Sequence, residues 1–305
     1  MTLLKLGTVA SAQTITEPQR VLLVGATSPI GRAVAKELAA VEHLVTGTSR
    51  SGGAGLEQLD VTDRLQCESV LARVRPDAVI YLARPELAQP DPAQPDREPN
   101  GIDSAVEDLR RFGEQCVEHG VSRLVFASSA AVYGTAANTP RAENCATPGN
   151  SPYAILKLRS EVTLAELASA AALSVITLRI FNAYGPGLVA SLVNRLAAPD
   201  GLGPQVYHSE HFIRDYIHAA DVARGFGAAI AANTNASAVL NLGTGVGTSN
   251  RELLALFPSA DYRENPEFEG SSVSVAETSL IFSSLGFEPR ITLPMAVANA
   301  QKFIL

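Results

Sequence analysis

Two hydrophobic patterns take turns along this chain, and their alternation predicts its architecture. Short, nearly continuous apolar runs occupy Arg20–Val24, Asp77–Ala83, Val121–Ser128 and Ser174–Phe181, with further strand-like stretches at His43–Thr48 and Val239–Leu242. Such runs suit strands buried on both faces, because helices cover both sides of a parallel sheet. Between them, apolar residues recur at helical spacing over Ala26–Ala40, from about Asp103 to His119, and over Tyr153–Ala171. A further short strand ends at Leu59-Asp60-Val61. Strands alternating with helices predict an α/β fold, a doubly wound parallel sheet whose ligand crevice opens where strand order reverses.

Composition narrows the picture. At 305 residues, with 46% hydrophobic content and mean hydropathy +0.12, the chain can bury one large or two smaller cores. A net charge of -7 argues against a nucleic-acid binder, which needs a basic face. Cys67, Cys116 and Cys145 are odd in number and widely spaced, giving neither a disulfide framework nor metal-ligand spacing, and they suit a reducing cytoplasm. Lys5 and Gly7 interrupt the apolar start, so residues 1–19 read as a loose extension and not as a targeting segment. No stretch reaches the roughly 18 apolar residues of a membrane span. Arg84 to Gly101 carries five prolines among acidic and amide residues and reads as a loop over the cleft.

The candidate chemistry lies at the strand ends. Gly25 and Gly31 bracket a turn from strand to helix, where missing side chains let the backbone approach a pyrophosphate, as in a Rossmann-type dinucleotide site. A middle glycine is expected where Ser28 stands, yet Ser28-Pro29 is a cap and first-turn pair that still presents a helix N-terminus to an anion. After the second strand, Ser49-Arg50-Ser51 holds no acid for ribose hydroxyls. Arg50 either forks onto a ribose 2'-phosphate, which favours NADP(H) over NAD(H), or is a solvated strand-end residue. Asp60 either meets the adenine or begins the next helix beside Asp63. Ser151-Pro152 starts another helix, placing Tyr153 and Lys157 on one face, four residues apart. A lysine cation there favours the phenolate and makes Tyr153 a proton donor or acceptor. His208 and His211 lack a third nearby ligand and predict no metal.

These segments, with S-S-A-A-V-Y-G at Ser128–Gly134, L-R-I-F-N-A-Y-G-P-G at Leu178–Gly187, R-D-Y-I-H-A-A-D-V-A from Arg214 and N-L-G-T-G from Asn241, resemble the extended short-chain dehydrogenase/reductases acting on nucleotide sugars. The resemblance implies a dinucleotide-binding domain over residues 20–186 and a smaller, interleaved substrate region over 187–305, with the strand near 239–242 returning to the sheet. It implies a hydrogen-bonding hydroxyl at Ser129, Tyr153 as acid/base, and Lys157 holding the ribose and tuning Tyr153. The cofactor would meet Gly25, Thr27, Ser28, Pro29, Ile30, Gly31, Arg50, Asp60, Val61, Leu82, Ala83 and Ala127, besides Tyr153 and Lys157. The substrate would meet Ser129, Asn182 and Arg214, although Asn182 also fits a turn. Where the family often has a second pyrophosphate arginine, this chain offers Glu267, with Arg263 earlier.

The expected activity is NADPH-dependent reduction of a 4-keto-6-deoxy nucleotide sugar, favoured by Arg50, by the short S-G-G-A-G-L-E-Q link and by Glu267. A 4-epimerase or dehydratase retaining NAD is the alternative. A catalytically silent dinucleotide sensor is a third class, against which Ser129, Tyr153 and Lys157 speak. The helices Asp103–His119 and Tyr153–Ala171 are expected to pair with their copies in a homodimer.

Overall fold

The computed structural model describes residues 18–85, 101–134, 139–198, 204–207, 209–233, 236–265 and 271–304. Expectations for residues 1–17, for 86–100 of the proline-rich stretch, for His208 and for Glu267 fall outside these described residues.

The chain opens with β1 (Arg20–Val24), α1 (Pro29–Ala40), β2 (Leu44–Ser49) and β3 (Glu57–Gln58). There follow α2 (Arg64–Val74), β4 (Ala78–Tyr81), α3 (Ile102–Glu118), β5 (Arg123–Ser129), α4 (Pro152–Ala170) and β6 (Ser174–Ile180). Both Ser-Pro pairs do what their chemistry dictates: Gly31 N donates to Ser28 Oγ at 3.0 Å and Ala154 N to Ser151 Oγ at 3.2 Å, with proline in the first turn. The third strand stops earlier than the apolar pattern suggests. The Asp60 carboxylate turns onto Thr62 N at 3.0 Å and Thr62 Oγ1 at 2.8 Å, a local bond that ends extended pairing. Asp63, not Asp60, caps α2.

After β7 (Asn182–Tyr184), α5 (Leu192–Ala197), β8 (Gln205–Tyr207), β9 (Phe212–His218) and α6 (Ala219–Ala231), β10 (Ala238–Leu242) rejoins the main sheet beside β6. That sheet is parallel throughout, in the order β10-β6-β5-β4-β1-β2-β3, so strand order reverses between β1 and β4. Alternate β1 residues enter opposite cores. Val21 and Leu23 pack with Val34, Leu38 and Phe226 of α1 and α6, whereas Leu22 and Val24 pack with Leu71, Phe112 and Leu164 of α2, α3 and α4. Cys67 and Cys116 lie in this second core, where burial pushes the Cys67 thiol up to about 12, so it stays neutral packing. Of the later segments, β11 (Gly247–Ser249), β12 (Arg263–Asn265) and β13 (Ser272–Ser274) form small sheets in which β9 pairs with β7, β11 and β13, while β12 pairs with β8, and helix α7 (Asn250–Ala255) follows β11. A separate apolar cluster of Val193, Leu196, Leu253 and Leu293 supports them.

Candidate active site

At the C-terminal ends of β1, β2 and β4 lies a crevice of about 640 Å³, lined by Gly25, Thr27, Ser28, Arg50, Asp60, Val61, Leu82, Ala83 and Arg84 among others. Its floor depends on missing side chains. A Cβ at Gly31 would lie 2.4 Å from Gly25 O, and Gly25 has φ +88° with the Ala83 backbone 3.1 Å from where its Cβ would stand. Ser28, at φ -65°, needs no glycine there. Ile30 packs its side chain against the core, and Pro29 fills the first helical turn. A dinucleotide fits this chemistry: the Thr27 and Ile30 amides have no partner among the described residues, and they flank the N-terminus of α1.

Tyr153 adjoins the crevice through Arg84, one of its lining residues. The Ser129 hydroxyl, at the end of β5, lies near enough to the phenol to favour its ionised form, and it accepts from Ala131 N at 3.2 Å. Lys157, one helical turn on, is buried and donates from Nζ to Ala127 O at 2.7 Å. Its Nζ lies 4.7 Å from the Phe126 ring centroid and 5.8 Å from that of Tyr153. The three residues thus come together, and a second cation joins Lys157 beside the phenol. The Arg84 guanidinium, at the end of β4, sits 4.9 Å over the Tyr153 ring. Burial pushes the Tyr153 phenol up, and the Ser129 hydroxyl and Arg84 oppose it. Burial, then the Arg84 charge, pulls the Lys157 ammonium down to about 8, against the pull of Glu161. Arg84 escaped the sequence reading because only its place at a strand end, facing the crevice, hints at it.

Behind these residues lies a buried ion pair. Arg179 Nη2 donates to Glu161 Oε2 at 2.7 Å, both side chains being 7% exposed. Ser128 Oγ also donates to Glu161, and Arg179 Nη1 donates to Tyr133 OH at 2.9 Å and Glu143 O at 3.0 Å. Tyr133 OH donates to Asn241 Oδ1 at 2.7 Å. Burial alone would lower Arg179; the Glu161 and Tyr133 contacts instead hold it above its ordinary value. The pair fixes the end of β5 just before Ser129. Two signals marked it in the sequence: an arginine inside the apolar run L-R-I-F, and a glutamate four residues past Lys157 on the same helix face.

On the substrate side, the expected residues turn inward. Asn182 Nδ2 donates to Asp215 O at 3.0 Å. Arg214 Nη1 donates to Ile213 O and Ser272 O at 2.8 Å, its Nη2 donates to Ser272 Oγ at 3.0 Å, and its guanidinium stacks 3.7 Å from the Phe212 ring centroid. Arg263 lies in β12, paired to Gln205. His211 is exposed, and among the described residues no group of His, Cys, Asp or Glu is arranged to hold a metal.

Comparison with known proteins adds the family context. The pattern described as "NAD dependent epimerase/dehydratase family" matches residues 21–243. The chain is 28% identical to a UDP-glucose 4-epimerase of Neisseria meningitidis serogroup C over 81% of this chain and 81% of that protein. It is 26% identical to a UDP-glucose 4-epimerase of Mycolicibacterium smegmatis over 93% of this chain and 98% of that one. Among solved structures it resembles a UDP-glucose-4-epimerase from Stenotrophomonas maltophila with bound NAD and formylated UDP-arabinopyranose, at TM-score 0.79 and 27% identity, covering 92% of this chain and 96% of that one.

Proposed function

The chain belongs to the NAD-dependent epimerase/dehydratase family, and from that premise we propose that it interconverts 4-epimers of a UDP-linked sugar using retained NAD. The reading rests on the Ser129–Tyr153 hydroxyl pair beside Lys157, adjoining a dinucleotide crevice. It is supported by relatives that are UDP-glucose 4-epimerases and by a neighbour holding NAD and a UDP-sugar.

When bound, the cofactor supplies a hydride acceptor and donor. The chain's own residues handle the proton and the geometry. Ser129 holds the sugar C4 oxygen, and Tyr153 takes its proton and later returns it. Burial disfavours the phenolate that must form, and Ser129 and Arg84 work in its favour. Lys157, anchored on Ala127 O, has N–H groups left that would hold the cofactor's ribose. The test is to give the purified protein UDP-glucose or UDP-galactose without added cofactor and resolve the products. Interconversion supports the reading. Silence across UDP-sugars, together with stoichiometric NADPH oxidation by a 4-keto-6-deoxy nucleotide sugar, replaces it with the reductase.

That second reading keeps one observation in its favour, the arginine at the end of β2. Arg50 lines the crevice at the strand end where a ribose-binding acid would stand. If it reads a 2'-phosphate, Arg50→Ala weakens NADPH by roughly ten- to a hundredfold and NADH little. Equal weakening of both in a fluorescence titration removes the NADP preference. A homodimer through α3 and α4 is also proposed, supported by Val162, 58% exposed on α4. Light scattering that finds only monomer removes it. No helix among the described residues is long and apolar enough to cross a membrane, and free thiols at Cys67, Cys116 and Cys145 suit the reducing cytoplasm that this reading assumes.

A further inference from the structure

The glycine turn offers fewer backbone donors than its motif suggests. Ala26 N donates to Thr48 O at 3.1 Å, Ser28 N to Gly25 O at 3.2 Å, and Arg32 N to Ser28 O at 2.9 Å. The Gly31 amide is taken by Ser28 Oγ at 3.0 Å, and Pro29 has no N–H. Among the described residues this leaves the Thr27 and Ile30 amides open. The Ser28-Pro29 pair has therefore exchanged anion-binding donors for a self-sufficient helix cap. A dinucleotide's diphosphate is a dianion, whereas two amides and a helix terminus worth about half a charge match only part of it.

Besides Arg50 and Arg84, which line the crevice, a further cation lies against the turn itself. Arg32, in the first turns of α1, folds back towards the helix start, the direction helical side chains favour. Its Nη1 donates to Thr27 O at 2.5 Å, which holds the guanidinium against the residue that carries one of the two open amides. On its other side is the turn at Gly185-Pro186-Gly187. A Cβ at Gly187 would lie 2.8 Å from Arg32 Nη2 and 3.4 Å from Pro29 Cβ. Gly187 has φ +79°, a conformation that calls for glycine, and a side chain there would push the Arg32 guanidinium aside. Arg32 is exposed, and among the described residues no carboxylate pairs with it. A guanidinium tethered through one nitrogen keeps its other donors available in a fixed fork, the geometry suited to phosphate oxygens.

We propose that Arg32 is the cationic arm of the cofactor site, taking the dinucleotide diphosphate together with the Thr27 and Ile30 amides, with Gly187 kept small to give that arm its place. The proposal rests on the reading of the crevice as a dinucleotide site. It assigns to a side chain the work that a glycine-rich turn assigns to backbone.

The test compares ligands that share adenosine but differ in phosphate. ADP, NADH and adenosine are titrated calorimetrically into the parent protein, Arg32→Gln and Gly187→Ala, at several salt concentrations. Arg32→Gln is expected to weaken ADP and NADH by roughly ten- to a hundredfold while leaving adenosine unchanged, and to flatten the salt dependence of ADP binding. Gly187→Ala, which displaces the guanidinium without removing it, is expected to show the same selective loss. An unchanged ratio of ADP to adenosine affinity in Arg32→Gln, with the parent binding normally, overturns the proposal alone and makes Arg32 a brace between α1 and the Gly185–Gly187 turn. Failure of the parent to bind NADH or ADP overturns the dinucleotide reading and this proposal with it.

Discussion

On the dinucleotide side of the crevice, the exposed Arg84 lays its guanidinium over the Tyr153 ring, and the Thr27 and Ile30 amides have no partner among the described residues. On the substrate side, Asn182 and Arg214 donate to the backbone of β9 and β13, and His218 bonds through both ring nitrogens, to Ala220 N at 3.1 Å and Phe303 O at 2.7 Å. Thr27 and Ile30 on one side, and Asn182, Arg214 and His218 on the other, all occupy motif positions, so motif membership does not separate the two sides. Their existing partners do, because a buried donor already satisfied inside the protein must break that bond before it can serve a ligand. Residues on the first side should therefore move function and spare stability, and residues on the second should do the reverse.

The sharpest contrast pits Tyr153 against the ion pair behind it. Tyr153→Phe removes only the proton-carrying hydroxyl and is expected to lower turnover by roughly 10² to 10⁴-fold. The midpoint of denaturant unfolding should shift by no more than about 1 kcal/mol equivalent. A variant that keeps near-parental turnover, with chemistry shown to be limiting, takes the acid/base role from Tyr153. Glu161→Ala strands the buried Arg179 guanidinium and should cost about 3–5 kcal/mol in chemical denaturation. Pairing it with Arg179→Met should recover part of that loss, since the stranded charge goes too. A Glu161→Ala cost below about 1 kcal/mol would mean that water reaches Arg179 and the pair is not the brace described.

The smallest effect expected is a pH dependence on the substrate side. Burial holds the His218 imidazole below its ordinary pKa, and its Nδ1 must stay unprotonated to accept from Ala220 N–H. A histidine whose folded pKa is depressed adds stability that is present above its unfolded value near 6.5 and is lost as pH falls through the folded pKa. His43, also lowered by burial, adds a parallel slope, so the informative quantity is the difference between proteins. His218→Asn, which can still cap α6, should flatten the acid side of the unfolding-temperature profile by about 1 kcal/mol equivalent. Identical pH profiles for the parent and the variant would show that His218 does not titrate in this window.

Much of the dinucleotide side was legible in the chain because its signals act within one turn. Ser-Pro caps, glycines that exclude a Cβ and a Tyr–Lys pair at helical spacing all fix local geometry wherever they occur. The third strand was misread at its end because Asp60 bonds to Thr62, a choice between extended pairing and a local turn that hydrophobicity does not register. The present partners of the substrate-side residues were not legible, for a different reason. The partners that satisfy Arg214 and Asn182 lie at Ser272 and Asp215, 58 and 33 positions away, and only the packing of β9 against β13 and β7 brings them together.

The sequence by itself determined the alternation of strand and helix, the parallel sheet, the caps that start α1 and α4, and the shared helix face of Tyr153 and Lys157. Each follows from periodicity or from side-chain chemistry over a few residues. Tertiary structure alone decided which charges act on which groups. It set Arg84 over the Tyr153 ring, placed Glu161 against Arg179 and Ser128, joined Tyr133 to Asn241 across 108 positions, and left room at Gly187 for Arg32. Electrostatic effects depend on distance and burial between residues remote in the chain, and these exist only once the sheet has closed its neighbours together.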